Sequence, residues 1–398
     1  MILGDACNLF ERFDLSLYFL NAASKSCRIG KQKSKVEIKL AKQSFDQEGS
    51  LLDGDQEAFR RIRRLSQRYD LTRDLRFMAE YKYDSYEVYS TSRRFLPSLL
   101  EWLGQFHSQR EIETALTIVH KLLFLSRKEM LELSRLVYQN ILFEIMNEII
   151  RVHNLRRFDY GTAYRYLDRF LEKCVFIGMS DGAQTDYFRR HSDGKIKNDQ
   201  VLPYYKIDEE EKRLHSNAKY AFLLDDMCGS GVTFLRVKSI GNRTVVEGQL
   251  PRFIKKWSPF ATSLEAIYFC PYLITEKGFK RLTKLAPKVP ISQAQRFRFK
   301  ILYGMIIPEK YSILRKDNEL FSRIECERMK DLCKRYYDPA VEDEHTRKGG
   351  GCKFGFGRIG IFLVRYNNTP NNTPSIIWHA NRVKEQPALF RRLARHHL

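Results

Sequence analysis

The sequence predicts an α/β protein in which a helical stretch precedes a parallel β-sheet. Three observations carry that reading. Two apolar runs of strand length, Cys174–Gly178 and Ala221–Leu224, each end in a polar loop containing glycine. The rhythm returns at Leu264–Cys270, an apolar run followed by a helix pattern over Thr275–Leu285. Ahead of these runs, apolar residues recur at helical spacing across 51–155.

Composition bounds the partners. The chain has 398 residues, of which 43% are hydrophobic and 13% aromatic, enough for a substantial core and more than one ordinary domain. Sixty-nine Lys and Arg face 48 Asp and Glu, giving a net charge of +21 and a pI of about 9.6. That excess implies a polyanionic partner, most simply nucleic acid. The eight cysteines, at 7, 27, 174, 228, 270, 326, 333 and 352, form no Cys-x-x-Cys pair. This argues against zinc and for a reducing cytoplasm. Met1–Cys7 lacks the basic start of a signal peptide, and no apolar run is long enough to cross a bilayer.

In chain order, residues 1–50 form a basic segment whose lysine-rich part, 30–42, reads as solvated or as an edge hairpin. Residues 51–155 read as a helical domain. Leu96, Leu99, Leu100, Leu103 and Phe106 make one stripe, and Ile112, Leu116, Val119, Leu122 and Leu123 another. Ser126 with Glu129 forms a capping box that opens a long helix to about Ile150. Arg60, Arg61, Arg63 and Arg64 cluster on one helix, either as a nucleic-acid contact or as a solvated face.

A helix over Tyr164–Glu172 leads into the first strand, the loop Met179–Ala183 and a helix start at Thr185–Arg190. Residues 191–217 are polar and of mixed charge. After the strand Ala221–Leu224 come Asp225, Asp226 and the loop Met227–Thr233, and Phe234–Ile240 reads as the opening of a helix. A helix over 249–257 precedes the third strand. Over 285–300, Phe297 and Phe299 are interleaved with cations, a mild nucleic-acid signal. Gly349–Gly351 and Phe354–Gly357 precede a strand at Ile359–Val364 and the run Asn367–Pro374, then Ser375–Trp378. Such amides ending in a Trp suit a rigid base-sized pocket or a decorated turn.

The chemistry concentrates at 225–233. Glycines let the backbone approach an anion, and N–H groups at a helix start favour phosphate. Ser230 and Thr233 add hydroxyl donors. Asp225 and Asp226 suit sugar hydroxyls, and can hold Mg²⁺ through water or those hydroxyls. The stretch reads as a site for a phosphorylated sugar with a metal. It is not a Walker A loop.

Residues 222–233 resemble the phosphoribosyl pyrophosphate (PRPP) motif of type I phosphoribosyltransferases. The resemblance implies a parallel sheet of that kind, with PRPP as ligand and Mg²⁺ as cofactor. It implies ribose hydroxyls on Asp225 and Asp226, and the 5-phosphate in the loop of Met227, Cys228, Gly229, Ser230, Gly231, Val232 and Thr233. Ser180, Asp181 and Gly182 stand where the family cradles pyrophosphate. Arg189 reads as a pyrophosphate contact or as surface charge. The stretch 191–217 stands where the family keeps a flexible loop, from which Lys195 and Lys197 would reach the pyrophosphate.

Taken together with the run Asn367–Trp378, the chain resembles, over roughly 90–380, the phosphoribosyltransferase-like proteins of bacterial conflict and anti-phage systems. Some of these are encoded beside retron reverse transcriptases. This implies a phosphoribosyltransferase-like domain over 156–398, with a hood at about 345–380 whose Asn371 and Asn372 face the acceptor. The implied activity is transfer of ribosyl phosphate to a nucleobase, nucleotide or nucleic acid, or PRPP hydrolysis. The alternative is a silent PRPP-fold module that binds nucleic acid. The implied partners include a reverse transcriptase and retron RNA or DNA.

Overall fold

The computed structural model describes residues 53–65, 69–89, 94–180, 183–204, 217–240, 243–257, 264–289, 297–381 and 386–393. The basic segment 1–50 lies outside them, as do Asp181, Gly182 and 205–216.

Four helices lead: α1 (Asp53–Leu65), α2 (Tyr69–Tyr81), α3 (Phe95–Leu103) and α4 (Gln109–His120). The short strand β1 (Leu123–Leu125) follows, then α5 (Arg127–Val152). The predicted capping box opens α5: the Ser126 hydroxyl accepts from the Glu129 N–H, and the Glu129 carboxylate accepts from the Ser126 N–H. The helix expected over Tyr164–Glu172 is two short ones, α6 (Tyr160–Tyr164) and α7 (Leu167–Leu171).

The sheet then builds from β2 (Cys174–Gly178), β3 (Val201–Pro203), β4 (Tyr220–Cys228), β7 (Ala266–Thr275), β8 (Arg298–Ile301) and β9 (Met305–Ile307). All pairings are parallel, in the order β3-β2-β4-β7-β8, with β9 also on β7. The order reverses between β2 and β4. Such a switch point opens a crevice beyond the carboxyl ends of the two strands.

Two expectations are corrected. Phe234–Ile240 opens no helix: β5 (Arg236–Ile240) pairs antiparallel with β6 (Arg243–Glu247). Val237 and Ile240 stand among the polar Arg236, Lys238 and Ser239, a short mixed run that a hairpin satisfies as well as a helix turn. The strand expected at Ile359–Val364 is confined to β10 (Leu363–Arg365), which pairs parallel with β1, away from the main sheet. The helices after β2, β6 and β7 form as read: α8 (Thr185–Arg190), α9 (Gln249–Trp257) and α10 (Glu276–Leu285).

β4 sets the two faces of the sheet. Tyr220, Phe222 and Leu224 point into the larger core, shared with α5 and the C-terminal segment; Ala221 and Leu223 point into a second core with α9 and α10. Across the first face, Phe222 stacks between Phe176 and Tyr268, with centroids 5.1 and 4.7 Å away. Each such ring contributes roughly 1.5–3 kcal/mol through burial. The larger core runs without a break from Ala58 to Phe390, so the helices of 51–155 share it with the C-terminal segment. α5 runs antiparallel to the strands and is fixed at their amino ends: Arg298 Nη2 binds Glu148 at 2.7 Å and Lys300 binds Glu144 at 2.5 Å.

Candidate functional site

Asp225 and Asp226 stand three and two residues before the last residue of β4, Cys228, at its carboxyl end. A strand has a period of two, so their side chains leave on opposite faces. The two acids therefore meet different surroundings. Asp225 is 8% exposed, and its Oδ1 accepts the Ser180 hydroxyl at 2.7 Å and the Asp226 N–H at 2.9 Å. Ser180 follows β2, so this bond bridges the two strands at the switch point. Asp226 is 1% exposed and forms an ion pair with Arg365, Nη1 to Oδ2 2.5 Å, with both side chains 2% exposed. Arg365 is delivered by β10, 139 positions along the chain. No local signal in the sequence points to it.

The turn after β4 is built from its glycines. A Cβ on Gly229 would lie 2.2 Å from Asn372 Cγ, and a Cβ on Gly357 2.2 Å from Ser230 Cβ. Gly231 has φ +69°, where larger residues are strained. The Thr275 hydroxyl donates to the Gly229 carbonyl at 2.7 Å and accepts the Gly278 N–H at 3.1 Å, so it caps α10 and anchors the turn together. With no helix following the turn, the nearby helix N-terminus is that of α10. Lys277, on its first turn, donates to the carbonyls of Gly357 and Arg358 at 2.9 and 3.1 Å. Burial pulls its ammonium below the usual lysine range. Cys228 is buried, and that burial, with the charge of Asp225 second, pushes its thiol well up. It is no nucleophile at neutral pH.

Of the residues singled out from the sequence, the structure brings together Ser180, Asp225, Asp226, the turn Cys228–Thr233 and Asn372. Ser230 and Gly231 are buried, Val232 is half-buried and Thr233 is exposed. Asn372 donates to the Phe356 carbonyl at 2.8 Å; Asn371 accepts the Phe356 N–H at 2.7 Å through its own carbonyl. The C-terminal segment thus walls the turn. Trp378 lines a cavity of about 540 Å³ with Gln105, His379, Asn381 and Arg392, and neither Asn371 nor Asn372 lines it.

Arg189 is half-buried on α8, and Lys197 is exposed. Lys195 Nζ is 3.8 Å from Asp168 and 4.8 Å from the Tyr164 ring centre. The neighbouring Gln200 donates to the carbonyls of Leu171 and Cys174 at 2.6 and 3.4 Å. Gln200 therefore sits at the amino end of β2, the opposite end of the strands from Asp225. Asp181 and Gly182 fall outside the described residues.

Comparison with known proteins bears on the same residues. No curated protein and no solved structure matches the chain. Residues 99–392 match the PRTase-CE family. That span takes in β2, β4, the turn, Arg365 and the C-terminal wall, so the chain belongs to the PRTase-CE family, a phosphoribosyltransferase-like group.

Proposed function

We propose that the crevice beyond β2 and β4 binds PRPP and that the protein transfers its ribosyl phosphate, releasing pyrophosphate. The single observation that carries this is the 2.7 Å bond from Ser180 to Asp225 beside the glycine-built turn. It joins a carboxylate for sugar hydroxyls, a loop for pyrophosphate and a turn for the 5-phosphate at one sheet edge. Asp225 orients the ribose. The turn Gly229–Thr233 fixes the 5-phosphate with N–H and hydroxyl donors.

In the transfer, the bond from the anomeric carbon to the pyrophosphate oxygen breaks and pyrophosphate leaves with the electron pair. A nitrogen of a nucleobase, nucleotide or nucleic acid, or a water oxygen, forms the new bond and gives up its proton to solvent. Mg²⁺ bound by the pyrophosphate would neutralise its charge. The described residues hold no cluster of three His, Cys, Asp or Glu for a metal. Asp225 with substrate oxygens and water fits the ion, in the indirect manner of Mg²⁺ sites on phosphates. In a cell under phage attack, such a reaction would deplete PRPP or modify nucleotides.

A second reading is a PRPP-fold module that binds without turnover. It is favoured by the Asp226–Arg365 pair, which commits one of the two acids within the chain. Calorimetry with PRPP and Mg²⁺, followed by a pyrophosphate-release assay with candidate acceptors, separates the two. Micromolar binding with pyrophosphate release supports the enzyme. Binding without release, with every acceptor class and with water, supports the module. No binding overturns both.

The wall makes a separate prediction. Asn372→Ala removes the side chain that rests on Gly229 and its bond to the Phe356 carbonyl. PRPP affinity is expected to fall by roughly fivefold to tenfold, the worth of one hydrogen bond. Asn371→Ala leaves a backbone contact intact and should bind like the wild type in the same titration.

A further inference from the structure

Phe158 is 66% exposed and has φ +68°. It is the third residue of a turn closed by the Asp159 N–H on the Arg156 carbonyl at 3.0 Å. A positive φ there normally takes Gly or Asn, and a bulky side chain is strained. An exposed ring regains nothing through burial, so stability does not account for its being there. Its neighbours suggest what does. The Arg157 guanidinium carbon lies 4.9 Å from the Phe158 ring centre. Tyr160 is 6.3 Å from Phe158 and 5.9 Å from Phe143, which is 52% exposed. One turn along α6, Tyr164 is 53% exposed with Lys195 Nζ over its ring at 4.8 Å.

We propose that this surface binds single-stranded nucleic acid, with bases on Phe158, Tyr164 and Phe143 and phosphates on the adjoining cations. Over 151–173 there are six Arg and Lys against three Asp and Glu. Arg156, Arg157 and Arg169 are exposed and make no ion pair among the described residues. Flat exposed rings interleaved with cations suit unpaired bases, whose faces are open; a duplex hides them. The chain's own residues 28–42 are a poor occupant, with six Arg and Lys and one Glu. The patch shares no residue with Ser180, Asp225 or the turn Gly229–Thr233, so its test is independent of the PRPP reading. The other two signals read from the sequence fit less well. Phe297 and Phe299 pack against the second core, and Arg60, Arg61, Arg63 and Arg64 have no exposed ring among them.

The test is fluorescence anisotropy with labelled oligothymidylate across a salt series. The wild type is expected to bind, and to weaken as salt rises. Phe158→Gly, which suits the positive φ, and Tyr164→Ala should each cost about tenfold or more in affinity, with the thermal midpoint unchanged or higher for Phe158→Gly. Arg156→Ala with Arg157→Ala should flatten the slope of log affinity against log salt by about 1.4, near 0.7 per phosphate contact. Arg60→Ala with Arg61→Ala should bind like the wild type. The proposal is overturned if the wild type fails to bind at low salt, if Phe158→Gly and Tyr164→Ala bind undiminished, or if the α1 variant alone loses affinity.

Discussion

Arg365→Met is expected to destabilise the protein by about 3–5 kcal/mol, the usual cost of leaving one member of a buried ion pair alone. The reason lies in the burial. Asp226 is 1% exposed, with the Arg365 guanidinium 2.5 Å from its Oδ2. Without that cation, the carboxylate must take up a proton or draw water into the sheet end. Asp226→Asn should cost a similar amount, because it strands the guanidinium. The double variant Asp226→Asn/Arg365→Met should recover most of the loss, since a neutral pair of similar volume often replaces a buried ion pair without penalty. Urea unfolding of the four proteins gives the coupling directly. Additive losses would mean that the pair contributes nothing as a pair. The double variant also bears on the ligand: PRPP affinity near that of the wild type is expected, because Asp226 is already committed. Lost affinity with an intact fold would return Asp226 to the ribose.

Asp225→Asn should do the reverse. Its carboxylate lies at the crevice and accepts the Ser180 hydroxyl, a bond that an amide oxygen can keep. Stability should change by less than about 1 kcal/mol, as for a substitution that preserves shape and partner. PRPP affinity should fall by about 10- to 100-fold, corresponding to roughly 1.5–3 kcal/mol for a hydrogen bond to a charged group. Calorimetry beside thermal unfolding separates the two effects. A variant that binds PRPP undiminished would remove Asp225 from the proposed site.

The two acids, adjacent in sequence, show how far reading along the chain extends. Their place after an apolar run was legible, as were β2, the Ser126–Glu129 box and the helix after Thr275, because each rests on residues close together. The opposite faces of Asp225 and Asp226 follow from the period of a strand, but only once β4 is known to continue to Cys228. The hairpin β5–β6 was hidden because short mixed runs satisfy helix and strand patterns alike. β3 is three residues long, too short for a periodic signal. Arg365, the Asn372 wall and the shared core depend on partners far along the chain, which no local pattern encodes.

The pairing of β1 with β10 has a bearing on how the molecule is made. Leu123 meets Leu363 across 240 positions, and closing so long a loop is slow and entropically costly. During synthesis, β4 and Asp226 emerge well before residues 363–365. Until those residues arrive, the carboxylate has no buried counter-ion and the end of β4 stays hydrated. The crevice is thus among the last parts of the molecule to mature. A ribosome stalled before residue 363 would leave behind a chain with the acidic motif exposed and its architecture unfinished.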